Sequence, residues 1–72
     1  MLKVIKRVAE GVKDGKLHAV CQISVKETSE LVTETSDTVF TDGSIAWCIT
    51  TGAFYGLSGD TWYNQDGSGE TV

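Results

Sequence analysis

The sequence has two cysteines, one histidine and, beyond Lys26, no basic residue. Two cysteines are too few for the disulfide framework that staples small secreted domains. Together with His18 they cannot close a four-ligand zinc site, and no C-x-x-C or H-x-x-x-H pair is present. Long apolar runs are also missing, so no segment reads as a membrane-spanning helix. Residues 1–16 lack the uninterrupted apolar stretch of a secretory leader, and the free-cysteine count fits a reducing cytoplasm as the place of synthesis. Aromatic residues are scarce outside one stretch: five of the six fall between Gly43 and Gln65, and the sixth is Phe40.

What is present is strand-like. Ser44 to Thr50 alternates, with Ile45, Trp47 and Ile49 on one face and Ala46, Cys48 and Thr50 on the other. A period of two with β-branched and aromatic residues predicts a strand. Thr51-Gly52 and the Ser58-Gly59-Asp60 region carry turn chemistry. The stretch therefore reads as a three-stranded antiparallel meander near 44–50, 53–57 and 61–65. A two-residue loop at Thr51-Gly52 would set Trp47 across from Gly56, covering it as an aromatic neighbour can. The second turn has two solutions. A three-residue loop stacks Trp62 with Trp47 over Gly56. A two-residue Gly59-Asp60 turn sends Trp62 to the face of Cys48 and Tyr55, because a one-residue slip flips a strand. The first is preferred here, which makes Trp47 and Trp62 the centre of the core.

Lys16 to Lys26 alternates as cleanly, with Leu17, Ala19, Cys21, Ile23 and Val25 on the apolar side. Asp14-Gly15 just before it is a strong hairpin signal. Residues 1–26 are thus expected to be a basic hairpin. The alternative is a short N-terminal helix built on Ile5, Val8, Ala9 and Val12, giving an α+β chain. Residues 27–43, rich in Thr, Ser and acids, read as a long connection pinned at Leu31-Val32 and Val39-Phe40. Residues 66–72 read as a frayed polar tail. The fold class is all-β: one domain over 1–72, a small antiparallel, sandwich-like meander. The strand Leu17–Val25 would cover one of its faces.

Charge is segregated. Six bases against Glu10 and Asp14 give residues 1–26 a net +4, and residues 27–72 carry eight acids and no base. Such asymmetry suits contact within the fold or head to tail between copies. Spread bases without interleaved aromatics argue against nucleic acid.

No pattern specifies catalysis, and no cofactor is expected. Cys21 and Cys48 read as small buried hydrophobes rather than a Cys-His pair with His18. Asp66-Gly67-Ser68-Gly69-Glu70 lacks the spacing of a calcium loop. The residues that matter are apolar: Ile45, Trp47, Ile49, Phe54, Tyr55, Leu57, Trp62 and Tyr63. They supply core and interface together, since the meander carries apolar residues on both faces and an uncovered apolar face marks a contact surface. A chain of 72 residues without staples is marginal alone, so a partner chain is expected.

The run GSIAWCITTGAFYGLSGDTWYNQ resembles a pattern in small structural proteins of tailed bacteriophages. There a GS-x-A-x-x-I-x-TG-x-x-Y segment is followed by a turn, then TWY and often Gln. The matching residues are Gly43, Ser44, Ala46, Ile49, Thr51, Gly52, Tyr55, Thr61, Trp62, Tyr63 and Gln65. The opening MLKVIKR is similar to the start of small virion proteins. The resemblance covers about a third of the chain and carries over no catalytic residue. It implies a non-enzymatic virion structural protein: capsid decoration, or part of a head fibre or tail assembly, bound to capsid or tail proteins or to copies of itself. A carbohydrate- or surface-binding module using exposed Trp and Tyr is the alternative from another class. A phage-encoded regulator of a host protein is a third.

Overall fold

The structure, a computed structural model, describes residues 2–72. Six strands form one mixed sheet: β1 (Lys3–Lys13), β2 (Lys16–Val25), β3 (Thr38–Phe40), β4 (Ile45–Cys48), β5 (Phe54–Ser58) and β6 (Thr61–Asn64). The order is β1-β2-β4-β5-β6, with β3 also beside β2. The chain is all-β, in a single sheet rather than a sandwich. The helical alternative for the N-terminus does not form: 3–13 is a strand turned at Asp14-Gly15, both at positive φ. The sole helical turn among the described residues is one 3₁₀ turn at Thr28–Glu30. There the Glu30 carboxylate accepts the Lys26 and Glu27 N–H groups, turning the chain off the end of β2.

β2 does not cover a face of the meander. It is the sheet's central strand, antiparallel to β1 and parallel to both β3 and β4. Its alternation fills one face only: Ala19, Cys21, Ile23 and Val25 are buried with Ala46, Cys48, Tyr55, Leu57 and Trp62. The connection closes over this core face. Phe40 is buried, Leu31 packs against the core, and the Val32 carbonyl accepts the Trp62 indole N–H at 3.0 Å. The long linker is therefore the second layer of the fold, not a mobile loop, and burial of its few apolar residues is what holds it down.

Along one edge of β2 the neighbour changes from β3, opposite residues 17–19, to β4, opposite residues 22–25. Ser44 fills the break. Fully buried, its Oγ accepts the Cys21 N–H at 3.0 Å and donates to the Thr41 carbonyl at 2.7 Å. Gly43, at φ 94°, makes the corner that puts Ser44 there. A strand N–H that has lost its ladder partner is thus satisfied by a side chain, as buried backbone groups require.

Two expectations about the meander are corrected. The first hairpin loop is longer than two residues. Ile49 and Thr50 donate to the Val25 and Lys26 carbonyls, which holds them on β2 and away from β5. The register moves by two: Trp47 faces Phe54 and Ile45 faces Gly56. A shift of two keeps every side chain on its face. The second turn is the two-residue Gly59-Asp60 solution, with Ser58 opposite Thr61 and Leu57 opposite Trp62. Gly59 sits at φ 61° and donates to Asp42 Oδ1. Turn chemistry outweighs the stacking of two tryptophans, and Trp62 goes to the core while Trp47 does not. Gly56 is covered by Gln65: a Cβ there would lie 2.8 Å from Gln65 Nε2.

The polar tail is also more ordered than expected. It turns through Asp66–Gly69 and pairs back on β6. Asn64 donates to Glu70, Val72 donates to Trp62, and Tyr63 bridges Thr71.

Several surface carboxylates are held below their ordinary range: Glu34 by the Lys16 ammonium, Asp37 by the hydroxyls of Thr35 and Thr38, and Asp66 by Ser68. Each binds its proton less readily folded than unfolded. Its contribution is complete above the unfolded value, near about 4, and disappears as pH falls through the lower folded value. The melting temperature should therefore hold steady through neutral pH and drop below about pH 4. Thermal melts across that range check the direction. A midpoint that rises on acidification would contradict these pairings.

Candidate contact surface

The sheet has a closed core face and an open outer face. Strand alternation puts Ile45, Trp47 and Phe54 on the outer face, with Tyr63 beside Gly56, and all four are exposed. Trp47 is 42 % exposed, whereas Trp62 is 2 % exposed. Trp47 and Phe54 lie stacked across the β4–β5 pair, ring centroids 6.2 Å apart and planes 12° apart. The outer face continues onto β1. Ile5 joins Gln22, Ile45, Trp47 and Phe54 around a shallow depression, and Val8 extends it beside Val20. Ile49, just past β4, is exposed as well.

The eight apolar residues singled out by the sequence thus divide. Tyr55, Leu57 and Trp62 belong to the core. Ile45, Trp47, Ile49, Phe54 and Tyr63 stand on the surface. The two groups follow from period two alone once the second turn is known. Ile5 and Val8, which fit an alternative helical stripe, are not placed on this surface by the sequence because helix and hairpin readings compete for residues 1–16. A period-two count across Val4, Ile5 and Lys6 would still have failed, since the β1–β2 register shifts there.

The remaining candidates stay apart from this surface. Both cysteines are free and buried. Burial pushes the Cys21 thiol up, and hydrogen bonds from the Thr51 and Thr50 hydroxyls pull the Cys48 thiol down. Among the described residues, no three His, Cys, Asp or Glu side chains gather into a cluster able to hold a metal ion. No described helix is long and apolar enough to cross a membrane.

Charge segregation in the sequence becomes segregation in space. β1 carries Lys3, Lys6, Arg7 and Lys13 against Glu10, while the opposite edge carries Asp60, Asp66 and Glu70. Across the fold, Lys16 Nζ pairs with Glu34 at 2.6 Å, and Arg7 donates to the buried Thr38 hydroxyl at 3.0 Å. No family model, curated protein or solved structure matches the chain.

Proposed function

We propose that this chain is a non-enzymatic structural protein of a tailed-phage particle, decorating the capsid or joining a fibre or tail assembly through its outer sheet face. The observation that supports this reading most directly is the outer face itself. One side of the sheet is sealed by the connection, and the other presents stacked Trp47 and Phe54 with Ile5, Ile45 and Tyr63 around them. A contiguous apolar patch of aromatic residues on a small domain is the mark of a protein contact. The phage class comes from the GSIAWCITTGAFYG…TWYNQ resemblance. The fold gives physical reasons for several of its positions: Gly43 and Ser44 repair the break beside β2, and Gln65 covers Gly56.

The test is mass spectrometry of density-purified virions from the gene's source, with and without the substitutions Trp47→Ser and Phe54→Ser. The wild-type chain is expected in the particles and the double variant is not, although the latter stays folded. Virions free of the wild-type chain would overturn the reading. The carbohydrate-binding alternative draws on the same stacked pair and makes a different forecast, namely a Trp47 fluorescence change on adding glycans.

A further inference from the structure

The outer edge of β1 is the longest exposed feature of the molecule. All 11 residues are exposed, and the strand pairs with β2 alone among the described residues. Its other side therefore offers a row of backbone donors and acceptors. The pattern along it is self-complementary. When the strand is laid antiparallel to a second copy about a two-fold axis at Val8, Val8 meets Val8, Val4 meets Val12, and Lys6 meets Glu10 twice. Val8 and Val12 are among the most exposed apolar residues of the chain, at 54 % and 74 %. β1 carries two irregularities, one on each side of Val8. The register shifts between Val4 and Lys6 and between Ala9 and Gly11. The two-fold carries Ile5 onto Gly11 and Lys6 onto Glu10, so each irregular stretch lies within one residue of the other. Val8 is outward, and Val4 meets Val12 and Arg7 meets Ala9 on the core side.

We propose that this edge binds a second copy of the chain, β1 to β1, forming a two-fold dimer with a continuous sheet. A head-to-tail arrangement is the competing use of the charge asymmetry. The acidic edge, however, is already covered by the tail pairing on β6, which such a contact would have to displace. Only the Lys3–Lys13 pairs set like charges together, and they do so at the strand ends, where salt and water screen them. The proposal does not depend on the virion reading: a chain absent from particles can still dimerise. If both hold, the two-fold leaves the Trp47–Phe54 patches of the two copies on the same side, making the dimer a bivalent contact.

Val8→Cys is the direct probe. Across an antiparallel pair the Cα atoms of facing residues are about 4.5–5.5 Å apart, within disulfide reach. Mild oxidation should convert this variant to a covalent dimer, whereas Lys3→Cys, far from the axis, should stay monomeric. The native cysteines are buried and do not compete. In sedimentation equilibrium, Glu10→Lys should weaken the dimer about tenfold, by turning two attractive cross-strand pairs repulsive. Lys6→Glu combined with Glu10→Lys should restore it. The proposal is overturned by a folded monomer at millimolar concentration with no Val8→Cys crosslink. It is equally overturned by association that Glu70→Lys abolishes and Glu10→Lys leaves intact.

Discussion

Replacing Trp62 with alanine should unfold the isolated chain. The side chain is 2 % exposed on the core face and sits opposite Leu57 on β5. Truncating a buried tryptophan costs about 3–5 kcal/mol in lost transfer energy and cavity. A second loss accompanies it. The Trp62 indole N–H holds the Val32 carbonyl, and with it the segment that roofs the core. A domain of this size has a total stability of about 5 kcal/mol or less, so little would remain. Trp47→Ala is the matched control. Its ring is half in solvent and packs chiefly on Phe54, so the cost should be about 1 kcal/mol, the scale of one aromatic pair. Urea denaturation of the two variants separates them. Equal midpoints would mean that the assignment of faces is wrong.

Ser44→Ala should destabilise the fold through the loss of a single oxygen. It leaves the buried Cys21 N–H without its partner, while the Thr41 carbonyl keeps the backbone N–H of Ser44. The Cys21 N–H lies in the central strand with no described ladder neighbour at that point, because β3 has ended and β4 has not begun. An unsatisfied buried donor costs about 1–3 kcal/mol. Ser44→Thr keeps the hydroxyl and isolates the hydrogen bond from the volume change. The alanine variant should lose stability in denaturant melts and gain fast hydrogen exchange at Cys21. Slow exchange at Cys21 in the alanine variant would show that another group, or water, already satisfies that N–H.

Much of the architecture was legible in the residues because alternation is a strong signal wherever one face is buried. The strands at Lys16–Val25 and around Ile45–Cys48 follow from it directly, and so does the division of Ile45 and Trp47 from Ala46 and Cys48. The parallel pairing of β2 with β4 was not legible. It depends on what lies between them, and the Thr- and Ser-rich connection gives no periodic pattern to reveal that it folds into a roof. The position of Trp62 hung on one residue of turn length. Two terms competed there, aromatic stacking and the positive φ of Gly59, and the backbone term won. The tail was misread for a similar reason. Its composition is that of a solvated segment, but the free edge of β6 gives its backbone somewhere to pair.

The join between β2 and β4 also shapes how the chain reaches this structure. On either side of it contacts are local. Lys13 pairs with Lys16, and Ser58 with Thr61. Across the join, partners such as Ile23 and Ala46 are 23 positions apart. Two hairpin-like halves can therefore form quickly, each within about 10 µs, and neither buries the core alone. Closing the intervening loop loses entropy before any apolar contact compensates for it. The kinetic barrier belongs at that closure, with Ser44 as its clasp. Refolding of Ser44→Ala should accordingly be slowed, while its unfolding rate stays near that of the parent. The opposite partition would place the join on the native side of the barrier.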